Sequence, residues 1–178
     1  MTPRSRFRTA LAALAIAALP LTLPLGAPLG APLAAQDLGL TLGTKAPSFA
    51  LKTVDGSRTV DLAAYLGRKP VLLEFWASWC DNCKALEPSL RAAMKQYAGQ
   101  VEFIGVAVSV NQPARLAAAY AKKHGLPGTQ LYDQSGDASE LYQTPATSYV
   151  VVIGRDGTVK YTGLGGQQDL VAAVKKGL

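Results

Sequence analysis

The sequence predicts an α/β protein built on a mixed central sheet flanked by helices. Two predominantly apolar runs, residues 70–76 and 101–110, read as strands buried on both faces. Each is followed by a segment whose apolar residues recur at helical spacing. The chain then closes with a β-rich hairpin and one more helix, which adds antiparallel strands to a parallel core.

Residues 1–35 stand apart from this pattern. Arg4, Arg6 and Arg8 precede an apolar run over residues 9–26, the arrangement of a secretion signal. The competing reading is an uncleaved membrane anchor, but Pro20, Pro24, Pro28 and Pro32 interrupt the run before it supplies the ~20 unbroken helical residues of a stable span. Ala34 and Ala35 provide small residues for cleavage. The formal net charge of the whole chain is +6; beyond residue 35, 15 basic residues face 12 acidic ones, a net charge of +3. No basic cluster with interleaved aromatics is left, which excludes a nucleic-acid partner.

Residues 36–44 form a linker, and residues 45–178 are long and apolar enough to bury a core of their own. Within them, 48–62 reads as strand, turn and strand around Asp55-Gly56. Residues 62–67 suggest a short helix ended by Gly67, after which strand 70–76 leads directly to Cys80. From Cys80 to Tyr97, Leu86, Leu90, Ala93, Met94 and Tyr97 mark one face of an amphipathic helix that carries Pro88 in its interior. Strand 101–110 and a helix over 112–124, closed by His124 and Gly125, come next. Residues 125–133 read as a loop running into a short edge strand, and 137–143 as one or two helical turns. A hairpin around Arg155-Asp156-Gly157 and a helix over 165–178 complete the chain.

The two cysteines of the chain, Cys80 and Cys83, could exchange electrons, bind metal or staple the fold. A staple stabilises by restricting the unfolded chain, and a loop this short yields little. A zinc site needs about four ligands, and two cysteines with the single histidine, His124, fall short. Redox exchange is favoured, because Cys80 lies at a helix N-terminus whose free N–H groups and dipole support a thiolate.

The run "FWASWCDNC" after a buried strand, the proline five residues past the second cysteine, and "TPATSYVVV" before a terminal hairpin and helix together resemble the thioredoxin fold. More narrowly, residues 43–80 resemble the exported thiol-disulfide oxidoreductases of the TlpA/ResA type, and the likeness extends over residues 43–178. It implies a thioredoxin-like domain over 45–178 with an N-terminal hairpin extension. Cys80 is then the attacking cysteine and Cys83 the resolving one, and the Thr144–Pro145 bond is cis and faces the disulfide. The implied cofactor is none beyond this cysteine pair, with no metal. The implied partners are an exported disulfide-containing client, such as an apocytochrome c or a copper-site protein, and a membrane electron donor, the protein itself being a monomer in an extracytoplasmic or periplasmic location. Two features depart from the family pattern. The interval between Tyr142 and Pro145 is short, and Glu87 stands four residues after the second cysteine where many members have a glutamate at three.

Glu74 is an acid in an otherwise apolar strand, at the position of the buried acid of thioredoxins. Burial raises its pKa, suiting it to accept the proton of Cys83. Asp81 and Asn82 supply no cation to the Cys80 thiolate, and the carboxylate of Asp81 opposes it, so the pair reads as a reductant. Glu87 reads either as one half of a solvated pair with Lys84 or as a counterpart of the family's glutamate. Trp76 belongs in the core, while Trp79, with Thr144 and Pro145, lines the surface where a client peptide docks. His124 has no catalytic role. Two alternatives stay open. A thiol peroxidase is suggested by "APSFAL", although Ala77 stands where that chemistry uses a threonine. A Cu(I)-binding chaperone would use the soft thiolates, with poor cysteine spacing.

Overall fold

A computed structural model describes residues 39–178; the signal reading of residues 1–35 lies outside them. Seven strands form one mixed sheet in the order β2-β1-β5-β4-β3-β6-β7. They are β1 (Ala50–Thr53), β2 (Thr59–Asp61), β3 (Val71–Trp76), β4 (Glu102–Val108), β5 (Thr129–Asp133), β6 (Tyr149–Ile153) and β7 (Val159–Leu164). Four α-helices accompany them: α1 (Asp81–Gln96), α2 (Ala114–His124), α3 (Asp137–Leu141) and α4 (Leu170–Lys175).

The two apolar runs form the middle of the sheet. β3 and β4 pair in parallel from Val71–Glu102 to Trp76–Ala107, and every residue of β3 is buried, Glu74 included. On one face Leu72, Val150 and Val152 meet Leu86 and Leu90 of α1 and Leu170 and Val174 of α4. On the other, Leu73, Phe75, Val151 and Ile153 form a core with Ala117 and Ala121 of α2 and with Tyr142. Each buried leucine or valine contributes about 1.5–3 kcal/mol of transfer free energy, so the strand that carries the reactive loop rests on the most strongly held part of the fold.

The hairpin at Asp55-Gly56 forms as expected, with Gly56 in the left-handed region that the turn requires. It corrects the expectation for residues 125–133: β5 is an internal strand, parallel to β4 on one side and covered on the other by β1. The extension supplies this second neighbour, a pairing remote in sequence. Residues 62–67 form only a 3-10 turn, Leu62–Ala64, begun by the Asp61 carboxylate accepting from Ala63 N. The last helix starts at Leu170, because Asp169 caps it and Gln168 is held back by bonds to the carbonyls of Ser148 and Gly165.

Candidate active site around Cys80 and Cys83

β3 ends at Trp76, the chain turns through Ala77–Trp79, and α1 begins at Asp81 with Cys80 as its N-cap. The turn is closed by Cys80 N donating to Ala77 O at 3.1 Å. Cys80 and Cys83 are joined as a disulfide with their Cα atoms 5.3 Å apart. Cys80 Sγ accepts from the N–H of Cys83 at 3.0 Å. That donor is one of the unpaired N–H groups of a helix start, so it is already aimed at the sulfur that would carry charge once the pair is reduced.

Cys83 borders a narrow recess. It lines a cavity of about 10 Å³ together with Glu74, Trp76, Ala77, Glu87, Tyr120 and Leu126. This is the least volume that holds one water molecule. Burial, reinforced by the nearby charge of Glu87, pushes the Glu74 carboxyl up to about 8. Trp76 Nε1 faces these buried surroundings without a protein partner. Tyr120 packs on Trp76 and stacks on His124, the latter ring centroids 4.1 Å apart, and burial with the adjoining Glu87 carboxylate raises its hydroxyl above the ordinary value.

Cys80 is 5% exposed and Cys83 6%, so the two differ in their neighbours and not in their burial. Trp79 is 47% exposed, and its Nε1 donates to Val110 O at 2.9 Å. With Val108, Val110, Ser139, Thr144, Ala146 and Thr147 it lines an apolar pocket of about 210 Å³.

The structure therefore gathers Glu74, Cys83 and Glu87 on one side and Trp79 and Thr144 on the other. Three expectations need correction. The Thr144–Pro145 bond is trans, and Pro145 is exposed beside the pocket without lining it. A trans bond is the default even before proline. Glu87 does not pair with Lys84: it faces Arg91 at 3.6 Å, because Cys83 and Glu87, four residues apart, share the inward face of α1. Lys84 instead bonds Asp81 at 2.9 Å and draws the exposed Asp81 carboxyl below its ordinary value, so the opposition of Asp81 to a Cys80 thiolate is partly neutralised. Asn82 lies at the start of α1, with its backbone close to Gly166. Two residues escaped the sequence reading: Tyr120, and Gln112, whose Oε1 accepts from Ser78 N at 2.6 Å. Neither carries a local motif. Among the described residues no three His, Cys, Asp or Glu side chains gather as a metal site.

A family model described as AhpC/TSA matches residues 42–162. The chain belongs to the AhpC/TSA family. It is similar to the thioredoxin-like protein YneN of Bacillus subtilis, 30% identical over 65% of this chain and 68% of that protein. It is also similar to the thiol-disulfide oxidoreductase ResA of Geobacillus thermodenitrificans, 28% identical over 86% and 83% of the two chains. Its fold matches a Chlorobium tepidum protein assigned as thiol:disulfide interchange protein DsbE, with a TM-score of 0.66, 27% identity and coverage of 76% of this chain and 99% of that one. A secreted Mycobacterium tuberculosis disulfide oxidoreductase homologous to DsbE matches with a TM-score of 0.62 and 28% identity, over 71% and 94%. This AhpC/TSA protein is thus a TlpA/ResA-like thiol-disulfide oxidoreductase with a thioredoxin-like fold, and Cys80 and Cys83 form its redox-active pair.

Proposed function

We propose that this protein is exported and reduces disulfides in other exported proteins, with Cys80 as nucleophile, Cys83 as resolving thiol and Glu74 as proton acceptor. The observation that carries the reading is the recess in which Cys83 meets two acids, Glu74 and Glu87, the latter only partly offset by Arg91 at 3.6 Å. Burial and a neighbouring carboxylate both disfavour the Cys83 thiolate, which disfavours the reduced form and gives a reducing couple.

In the cycle, the Cys80 thiolate, supported by the Cys83 N–H, attacks one sulfur of the client disulfide and expels the other as a thiolate. Cys83 then loses its proton to the ionised form of Glu74, which its raised pKa makes a stronger base than an ordinary carboxylate near neutral pH. The Cys83 thiolate attacks Cys80 Sγ, the mixed disulfide breaks, and the client leaves as a dithiol carrying two electrons. The resulting Cys80–Cys83 disulfide is reduced again by a membrane thiol donor. Trp79 and Thr144 hold the client's apolar residues beside Cys80, with Pro145 at the rim; Asp81 and Asn82 adjust the open side and Glu87 the closed one. The linker expected over 36–44 is shorter than its bounds, because Leu40 is buried in the core with its N–H donating to Tyr149 Oη and Gly43 N donates to Val159 O; an exported leader, 1–35, is thus followed closely by the catalytic domain. Among the described residues no helix is long and apolar enough to cross a membrane.

Direction is tested with a disulfide-bonded peptide and its dithiol form. The reduced protein is expected to open the peptide disulfide stoichiometrically, and the oxidised protein to leave the dithiol untouched. Efficient oxidation of the dithiol peptide would make this protein a disulfide donor and overturn the reading.

A further inference from the structure

We propose that Gln112 is a positioning residue for Cys80, reaching from the β4–α2 connection to hold the reactive turn in register. The inference rests on Cys80 being the attacking thiol. Gln112 is only 1% exposed and both ends of its amide are bonded. Oε1 accepts from Ser78 N at 2.6 Å, and Nε2 donates to Val108 O at 2.9 Å. Its own main chain is pinned as well: Gln112 N donates to Ser109 O at 3.1 Å, and Tyr132 Oη donates to Gln112 O at 2.9 Å. Asn111, immediately before it, takes a left-handed φ of 52°, a conformation asparagine accepts more readily than most residues. One position further back, Val110 O receives the indole N–H of Trp79.

A buried amide is costly unless satisfied, and packing alone would be served by a leucine of similar size. In this fold the amide ties two backbones 34 residues apart, and one of them is the turn Ala77–Cys80. That turn decides where Cys80 Sγ stands relative to the Cys83 N–H. A hydrogen bond to a charged acceptor is strong but falls away steeply with angle and distance, so a small drift of the turn weakens thiolate stabilisation without disturbing the fold. The charged groups around the cysteines, Asp81, Lys84, Glu74, Glu87 and Arg91, do not touch Gln112.

The test compares Gln112→Leu, Gln112→Glu and Tyr132→Phe in the intact protein, reading the Cys80 thiol pKa, the rate of mixed-disulfide formation and thermal stability. Gln112→Leu removes both amide bonds. It is expected to raise the Cys80 pKa by about one unit, a roughly tenfold smaller thiolate fraction below that pKa, and to slow attack. Gln112→Glu keeps an acceptor for Ser78 N and is expected to restore most of the effect. Tyr132→Phe, which frees only the Gln112 carbonyl and serves should Gln112→Leu not fold, is expected to shift the thiol in the same direction by less. A Gln112→Leu protein with lower stability but an unaltered Cys80 thiol, or an unaltered thiol in Tyr132→Phe, would overturn the proposal. Cys80→Ser and Cys83→Ser, run alongside, separate the two levels. If Cys80→Ser still forms mixed disulfides, the assignment of the nucleophile fails; if it does not and the Gln112 variants are silent, only this inference fails.

Discussion

The two ends of one disulfide are equally buried yet have different neighbours. Next to Cys80, Trp79 joins Thr144 and an exposed Val110 around an apolar pocket, and the adjacent charges, Asp81 and Lys84, form an ion pair. Cys83 borders a narrow, water-sized recess lined by Glu74, Glu87, Trp76 and Tyr120. The contrast is created by one helical turn. The first residue of α1 points at solvent, while Cys83 and Glu87 lie on the face that packs over β3. Under the proposed function, this difference in neighbours divides the pair into a thiol that meets the client and a thiol that waits for a base.

Exchanging the cysteines singly breaks this comparison most severely. Cys80→Ser is expected to abolish disulfide reduction, whereas Cys83→Ser is expected to arrest the reaction as a Cys80–client mixed disulfide visible on a non-reducing gel. Equal behaviour of the two variants would erase the asymmetry.

Glu74→Gln sharpens it on the closed side. Resolution through Cys83 is expected to slow by about 10²-fold, in the range of general-base catalysis, with little change in the first attack. The same variant has a stability signature. The Glu74 pKa is about 8 in the fold against an ordinary value of 4.5, so the folded state holds an extra proton between these values. Stability of the oxidised wild-type protein should therefore fall as pH rises across that window, with a contribution approaching about 1.4 kcal/mol per pH unit. Denaturant titrations of Glu74→Gln over the same range should lack that slope.

Trp79→Ala tests the open side. Loss of the ring and of its bond to Val110 O is expected to weaken client binding, raising KM about tenfold for a peptide with an apolar residue beside its cystine, with a smaller change in kcat. Asp81→Asn is the mildest change: because Lys84 already neutralises the exposed carboxylate, the reduction potential should rise by no more than about 15 mV, half of the shift equivalent to a tenfold change in equilibrium.

How much of this could be read beforehand follows the distance over which each feature is encoded. Cys80, Cys83 and Glu74 lie within ten residues, and an acid inside "VLLEFW" announces itself against its neighbours. The strand, turn and helix that present them were equally local. Glu87 was ambiguous, because its choice between Lys84 and the cavity is made by the packing of α1 on β3. Gln112 and Tyr120 were silent: they reach the site only because β4 pairs in parallel with β3 and delivers the start of α2 alongside it. The internal place of β5 depended on a strand about 80 residues earlier, Lys52 of β1 pairing with Tyr132. The loop at Thr144 was located by resemblance, yet its proline is trans and turned outward, and the neighbouring Thr144, Ala146 and Thr147 meet Trp79 instead.

The most direct test is the reduction potential of the Cys80–Cys83 couple in the purified protein, equilibrated against glutathione or dithiothreitol. The burial of Cys83 beside Glu74 and Glu87, with Arg91 offsetting only the latter, leads to a value near or below about −230 mV, on the thioredoxin side of the scale. A value near about −120 mV would mean that the reduced form is the stabilised one, and would contradict the claim that the closed side of the site makes the couple reducing.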